Sequence, residues 1–228
     1  MGEHVTINGP DGAFMAYVAT PAQANGHALV VIQEIFGVNK VMRDLADAYA
    51  AEGYFAVVPD LFWRIQPGID ITDQTPEEWQ QAFDYFGKFN VDKGVVDIQA
   101  TIDHVRKSHG TIGAVGYCLG GLLAYLTATR TTINASVSYY GVGIQERLAE
   151  ATTETKPLLL HVASEDSFVN KEAQAAMKAG LSGQAQIRMH VYEGLDHAFA
   201  RVGGQHYDAA GAKLANERTM AFFTETLS

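Results

Sequence analysis

Cys118 is the one cysteine in the chain, and it stands inside Gly116-Tyr117-Cys118-Leu119-Gly120. A short apolar run containing Val115 leads into it and helical residues follow through Leu126, so the stretch reads strand, sharp turn, helix. The spacing is that of the Gly-x-Ser-x-Gly nucleophile elbow with sulfur in place of oxygen, and glycines suit a turn where any Cβ would crowd the crossing backbone. Such a turn lifts the sulfur above the sheet edge and sets it at a helix N-terminus, where unpaired amides and the dipole favour a thiolate. A lone cysteine is more often a small buried hydrophobe. The order of the residues downstream favours the nucleophile.

A thiol nucleophile needs a base to take its proton and return it to the leaving group, and an imidazole base needs a carboxylate on its other nitrogen. Asp166 and His197 follow Cys118 in the order nucleophile, acid, histidine that the α/β-hydrolase fold imposes. Asp166 reads as the better orienter because Ser167-Phe168-Val169 begin the next helix, with Glu165 the alternative and helix capping the ordinary role for an aspartate. His197 lies in a loop soon after Tyr192, whereas His161 sits inside an apolar strand and reads as a core histidine. His104 and His109 read as solvated helix positions. In this fold the loop after an early strand and the residue after the nucleophile each give one oxyanion amide, which points to Ile35 and Leu119. Glu34 beside that hole would oppose a resting thiolate or accept the thiol proton when substrate arrives; the plain reading is a glutamate that hydrogen-bonds loop amides.

These groups sit where an alternating α/β chain would put them. His4 to Thr20 alternates around the turn Gly9-Pro-Asp-Gly12, an opening hairpin. Ala28–Ile32 is a continuous apolar run of the kind covered on both faces, and Val38, Val41, Leu45 and Ala48 recur at helical spacing before Gly53 and the strand Tyr54–Val58. Residues 61–90 form an irregular, aromatic-rich excursion around a helix start at Thr75-Pro76, able to roof a site or simply to pack. An amphipathic helix over 91–105 leads to the elbow strand. Beyond the elbow helix come strands at 133–140, 157–163 and 187–192, with helices at 171–181 and 207–226. The expected architecture is a single α/β-hydrolase domain over 1–228, a mostly parallel central sheet of about eight strands with helices on both faces. Sites in such sheets form beyond the carboxyl ends of the strands. Glu34, Cys118, Glu165-Asp166 and Asp196-His197 all fall there.

Composition narrows the partners. With 26 acidic against 16 basic residues the formal charge is −10, and no block of lysines or arginines forms a phosphate-binding stripe, so nucleic acid and anionic membrane are excluded as partners. An anionic substrate would need local arginines working against that overall field. One cysteine permits no internal disulfide and fits a reducing cytoplasm. The opening Met1–Thr6 lacks the apolar core of a secretory signal, and no apolar run approaches the roughly 20 residues of a membrane span.

Over nearly its whole length the chain resembles the dienelactone hydrolase (carboxymethylenebutenolidase) family. The resemblance rests on Gln33-Glu-Ile-Phe-Gly37, Val58-Pro-Asp-Leu61, Gly116-Tyr-Cys-Leu-Gly-Gly121, Ser138-Tyr-Tyr-Gly-Val-Gly143, His197-Ala-Phe-Ala-Arg201 and Ala215-Asn-Glu-Arg218. It implies Cys118, His197 and Asp166 as triad, Glu34 as the carboxylate that activates the cysteine, Arg201 as a clamp on a substrate carboxylate, and Tyr140 and Phe36 as pocket residues. One part of the pattern is missing. Where the family's second carboxylate-binding arginine would precede Gln81-Ala82-Phe83, this chain has Trp79, and Phe83 and Phe86 stand where a tyrosine and a tryptophan would be expected. Losing one of two charge-assisted contacts costs about 1.5–3 kcal/mol, so a more apolar pocket is expected.

The expectation is therefore a cytoplasmic, monomeric hydrolase without cofactor or metal. It would open an enol-lactone, dienelactone-like and giving maleylacetate, through a Cys118 thioester. A thiol carboxylesterase for neutral or other esters, suggested by Trp79, is the rival within the same chemistry. A non-catalytic hydrolase-fold protein that binds a small molecule is the rival from another class.

Overall fold

The computed structural model describes residues 2–228. Its strands form one eight-stranded sheet in the order β1-β2-β4-β3-β5-β6-β7-β8, and its contacts divide the chain into two compact units, 1–114 and 115–228.

In the first unit β1 (Glu3–Gly9) and β2 (Gly12–Ala19) are the expected antiparallel hairpin, and β2 pairs antiparallel with β4 (Phe55–Pro59). β3 (His27–Ile32) runs parallel to β4. Ala28 to Ile32 are wholly buried, which explains their continuous apolar pattern. α1 (Lys40–Ala51) starts at Asn39, whose side chain accepts the Met42 amide, and Gly53 follows its end at φ +96. α2 (Pro76–Lys88) starts with Thr75 accepting the Glu78 amide and proline in the first turn.

α3 (Val91–Val105) buries Val95, Ile98, Ile102 and Val105. It also buries Asp97, a charge on an otherwise apolar face. That carboxylate is paired by Arg64 and by the Trp63 indole N–H at 2.9 Å, so it is not left uncompensated. The aromatic side chains of residues 61–90 largely pack on one another: Phe62 lies against Tyr85 and Phe89, and Trp79 against Phe83 and Phe36. His109 departs from expectation. It follows the last turn of α3 and stacks on Phe55 at 4.6 Å, half-buried, instead of standing on a solvated helix.

β5 (Thr111–Tyr117) carries the chain into the second unit. There α4 (Leu119–Arg130) is buried nearly all round, as its lack of a polar face requires. β6 (Ala135–Tyr139), β7 (Leu158–Ala163) and β8 (Ile187–Tyr192) pair in parallel, with α5 (Lys171–Leu181) between β7 and β8 and α6 (Ala209–Thr226) last. Among the described residues no helix is long and apolar enough to cross a membrane.

Candidate active site

The elbow is built from backbone that only small residues allow. Cys118 joins β5 to α4 at φ 56, ψ −115, a left-handed conformation costly for any residue with a Cβ. A Cβ on Gly116 would lie 1.8 Å from the Gly120 carbonyl oxygen, and one on Gly121 would lie 2.6 Å from both the Tyr139 oxygen and the Gly141 Cα. The Cys118 amide donates to the Tyr139 carbonyl at 3.1 Å, which anchors the turn to β6. No side chain caps α4, so the positive end of the helix is left to the sulfur-bearing residue and its visitors.

Asp166 and His197 come from the loops that follow β7 and β8. The ring nitrogen Nδ1 of His197 lies 3.1 and 3.0 Å from the two carboxylate oxygens of Asp166, with both residues buried. Oδ1 of Asp166 also accepts the amides of Phe168 and Val169. It therefore closes a local turn and orients the imidazole at once, while the cap of α5 falls to Asn170. Glu165, the alternative, is exposed and paired with Lys171 at 2.8 Å.

Burial disfavours a charged His197, but attraction from Cys118 and the bond that its Nδ1–H donates to the Asp166 carboxylate outweigh it and raise the pKa to about 10. Its Nε2 is buried without a formed hydrogen bond among the described residues. Bonds of this kind often tighten only when substrate arrives. Tyr140 and Phe168 pack edge-on against the ring at 5.1 and 4.8 Å. Among the described residues the non-glycine positions at positive φ are Cys118, Tyr140 and Ala198, all beside this group. Strain concentrated at one place in this way is a mark of function.

Cys118, His197 and Asp166 thus all lie within the second unit, a thiol, an imidazole and a carboxylate of the kinds that acyl transfer can use. The dienelactone hydrolase family pattern matches residues 14–227. The chain belongs to that family.

Relatives of this dienelactone hydrolase family member include a provisionally named carboxymethylenebutenolidase from Azospirillum brasilense, 48% identical over 96% of both chains. A carboxymethylenebutenolidase from Pseudomonas putida is 38% identical over 96% of this chain and 95% of its own. A crystal structure of a provisionally named dienelactone hydrolase from Klebsiella pneumoniae superposes with a TM-score of 0.81 at 25% identity, over 99% of this chain and 98% of that one. The eight-stranded, mostly parallel sheet is the α/β-hydrolase fold. The chain is an ester hydrolase on that fold.

The remaining residues suggested by the family motifs are all ordered. Leu119 and Tyr140 are buried beside Cys118 in sequence and His197 in space, respectively. Arg201 sits in the turn that follows His197, its amide donating to Ala198 at 2.9 Å, and is only 6% exposed. In the first unit Glu34, Ile35 and Phe36 are buried just after β3, where Gln33 accepts the Leu61 amide at 3.0 Å. Trp79 donates its indole N–H to the Asp73 carbonyl at 2.9 Å and meets Phe36 edge-on at 5.1 Å. Phe83 and Phe86 are substantially exposed. Sequence reasoning missed Phe168 as a ring contact, because an aromatic at a helix entrance carries no separate signal. Among the described residues no group of three or more His, Cys, Asp or Glu side chains could hold a metal ion.

Proposed function

We propose that this ester hydrolase is a thiol enzyme that opens an enol-lactone through a Cys118 thioester. The observation that carries the reading is Cys118 at a strained helix entrance beside a histidine held at its other nitrogen by Asp166. In the proposed reaction the proton of the thiol passes to His197 and sulfur attacks the lactone carbonyl carbon. The oxyanion is assigned to the amides of Leu119 and Ile35, and Glu34 to activation of the thiol, on residue order and family resemblance. Collapse of the tetrahedral intermediate breaks the ring C–O bond, and the departing enol oxygen takes its proton from the imidazolium. Water, deprotonated by His197, then attacks the thioester; the acid leaves, Cys118 regains its proton, and the enol becomes a ketone. Arg201 is assigned to a carboxylate on the substrate.

Hydrolysis of a dienelactone and of simple aryl esters by wild type and Cys118→Ala tests the proposal. Near-complete loss in the variant is expected, and equal rates would end the thiol mechanism.

Trp79 supports a second reading, a preference for neutral esters. It fills an aromatic cluster with Phe36 and Phe83 at the position where the family pattern would place a cation. Comparing lactones with and without a free carboxylate decides between the two. Arg201→Ala should slow only the acidic substrate if the first is right.

A further inference from the structure

We propose that Asp196 is a positioning residue of the reaction, a carboxylate that ties the loop bearing Asp166 to the loop bearing His197. The proposal rests on the reading of Cys118, Asp166 and His197 given above.

β7 and β8 pair in parallel up to Ala163 opposite Tyr192. Beyond that point the strands have ended, yet the two loops stay laced together. The Ser164 amide donates to the Tyr192 carbonyl at 3.0 Å, the Gly194 amide to the Ser164 hydroxyl at 2.8 Å, and the Glu165 amide to the Leu195 carbonyl at 2.8 Å. Asp196 makes the last tie with its side chain. Its Oδ1 accepts the Ser167 amide at 2.9 Å and the His197 amide at 2.6 Å. One oxygen thus fixes the backbone immediately after Asp166 and the backbone of the ring-bearing residue itself.

Burial pushes the Asp196 carboxyl up, but the His197 and Ser167 amides outweigh it and hold it below its usual value. His206 lies 3.5 Å from the other carboxylate oxygen. Asp196 therefore acts through two amides of the main chain. Without it, the loops would keep their ties at Ser164, Gly194 and Glu165 but lose the one next to both Asp166 and His197, and a displacement of about 1 Å at a reacting group can cost about 10²-fold in rate.

The test compares kcat and KM for aryl ester hydrolysis by wild type, Asp196→Ala, Asp196→Asn and Cys118→Ala. Asp196→Ala is expected to lower kcat at least about tenfold with KM held within about twofold. Asp196→Asn, whose amide oxygen can accept the same two N–H groups, is expected to return within about threefold of wild type. Amide exchange gives a readout independent of activity: Ser167 and His197 should be protected in wild type and lose protection together in Asp196→Ala. An unchanged kcat in Asp196→Ala, an equal loss in Asp196→Asn, or an unprotected Ser167 amide in wild type would overturn the proposal. Should Asp196→Ala not fold, Asp196→Ser carries the same expectation, because its shorter side chain cannot span both amides. Full activity in Cys118→Ala would bring down the nucleophile reading and this proposal with it. An inactive Cys118→Ala beside a fully active Asp196→Ala would remove this proposal alone.

Discussion

Both carboxylate oxygens of Asp166 stand within 3.1 Å of His197 Nδ1, while one of them also accepts the amides of Phe168 and Val169. The acid is thus locked by its own loop before it fixes the tautomer of the ring. Asp166→Asn keeps an oxygen for the loop amides and loses the charge that selects Nδ1–H. It is expected to lower kcat/KM by about 10⁴-fold, the scale known for this exchange in a triad. Steady-state kinetics on an aryl ester checks it, and a loss below about tenfold would mean that Asp166 does not orient the base.

The charge on His197 links activity to stability. Burial lowers its pKa, and Cys118 followed by Asp166 outweigh burial to raise it from 6.5 to about 10. A folded-state pKa above the unfolded value contributes stability that is complete below pH 6.5 and is lost as pH rises towards about 10. The thermal midpoint should fall across that window. In Cys118→Ala one of the raising partners is gone, so the fall should be shallower. Melting curves of both proteins at successive pH values check this, and identical slopes would mean that sulfur does not charge the imidazole.

Gly116 in the elbow and Gly110 just before β5 differ sharply in the room around them. Gly116→Ala would drive a methyl group to 1.8 Å from the Gly120 oxygen, a backbone atom that cannot step aside. A destabilisation of about 3 kcal/mol or more is expected, with loss of activity. Gly110→Ala meets no atom within 4 Å and should stay within about 0.5 kcal/mol of wild type. Denaturant unfolding of the two variants measures the contrast.

His161 belongs to the core. Its Nδ1 meets the Tyr192 hydroxyl at 2.7 Å and its Nε2 the Thr219 hydroxyl at 2.9 Å, and Thr219 reaches on to Tyr139 at 2.7 Å. Burial, aided by the charges of His190 and Arg218, pushes the His161 pKa well down, so the ring bridges these hydroxyls in its neutral form. Thr219→Val keeps the shape and strands Nε2, at an expected cost of about 1–3 kcal/mol. Thr219→Ser should restore stability, and urea titration of the pair would show whether the hydroxyl matters.

Much of this was legible in the chain itself, because it depends on neighbours in sequence. The covered strands announce themselves as apolar runs, unbroken at 28–32 and interrupted only by His161 at 158–163, and the turn at Gly116–Gly120 by the residues that alone tolerate it. Cys118, Asp166 and His197 could be ordered along the chain because each follows a strand. The choice between Glu165 and Asp166 could not be made there with the same force. Adjacent carboxylates have the same chemistry, and only the lacing of residues 163–167 against 192–197 turns one towards Lys171 and the other towards His197. Asp97 is hidden in sequence for the same reason: a charge on an apolar helix face looks like an interruption until Arg64 and Trp63 arrive from more than 30 residues away. Periodicity is written locally, residue by residue. The partner of a buried charge and the register of two loops are set by contacts between distant segments, and those exist only once the chain has folded.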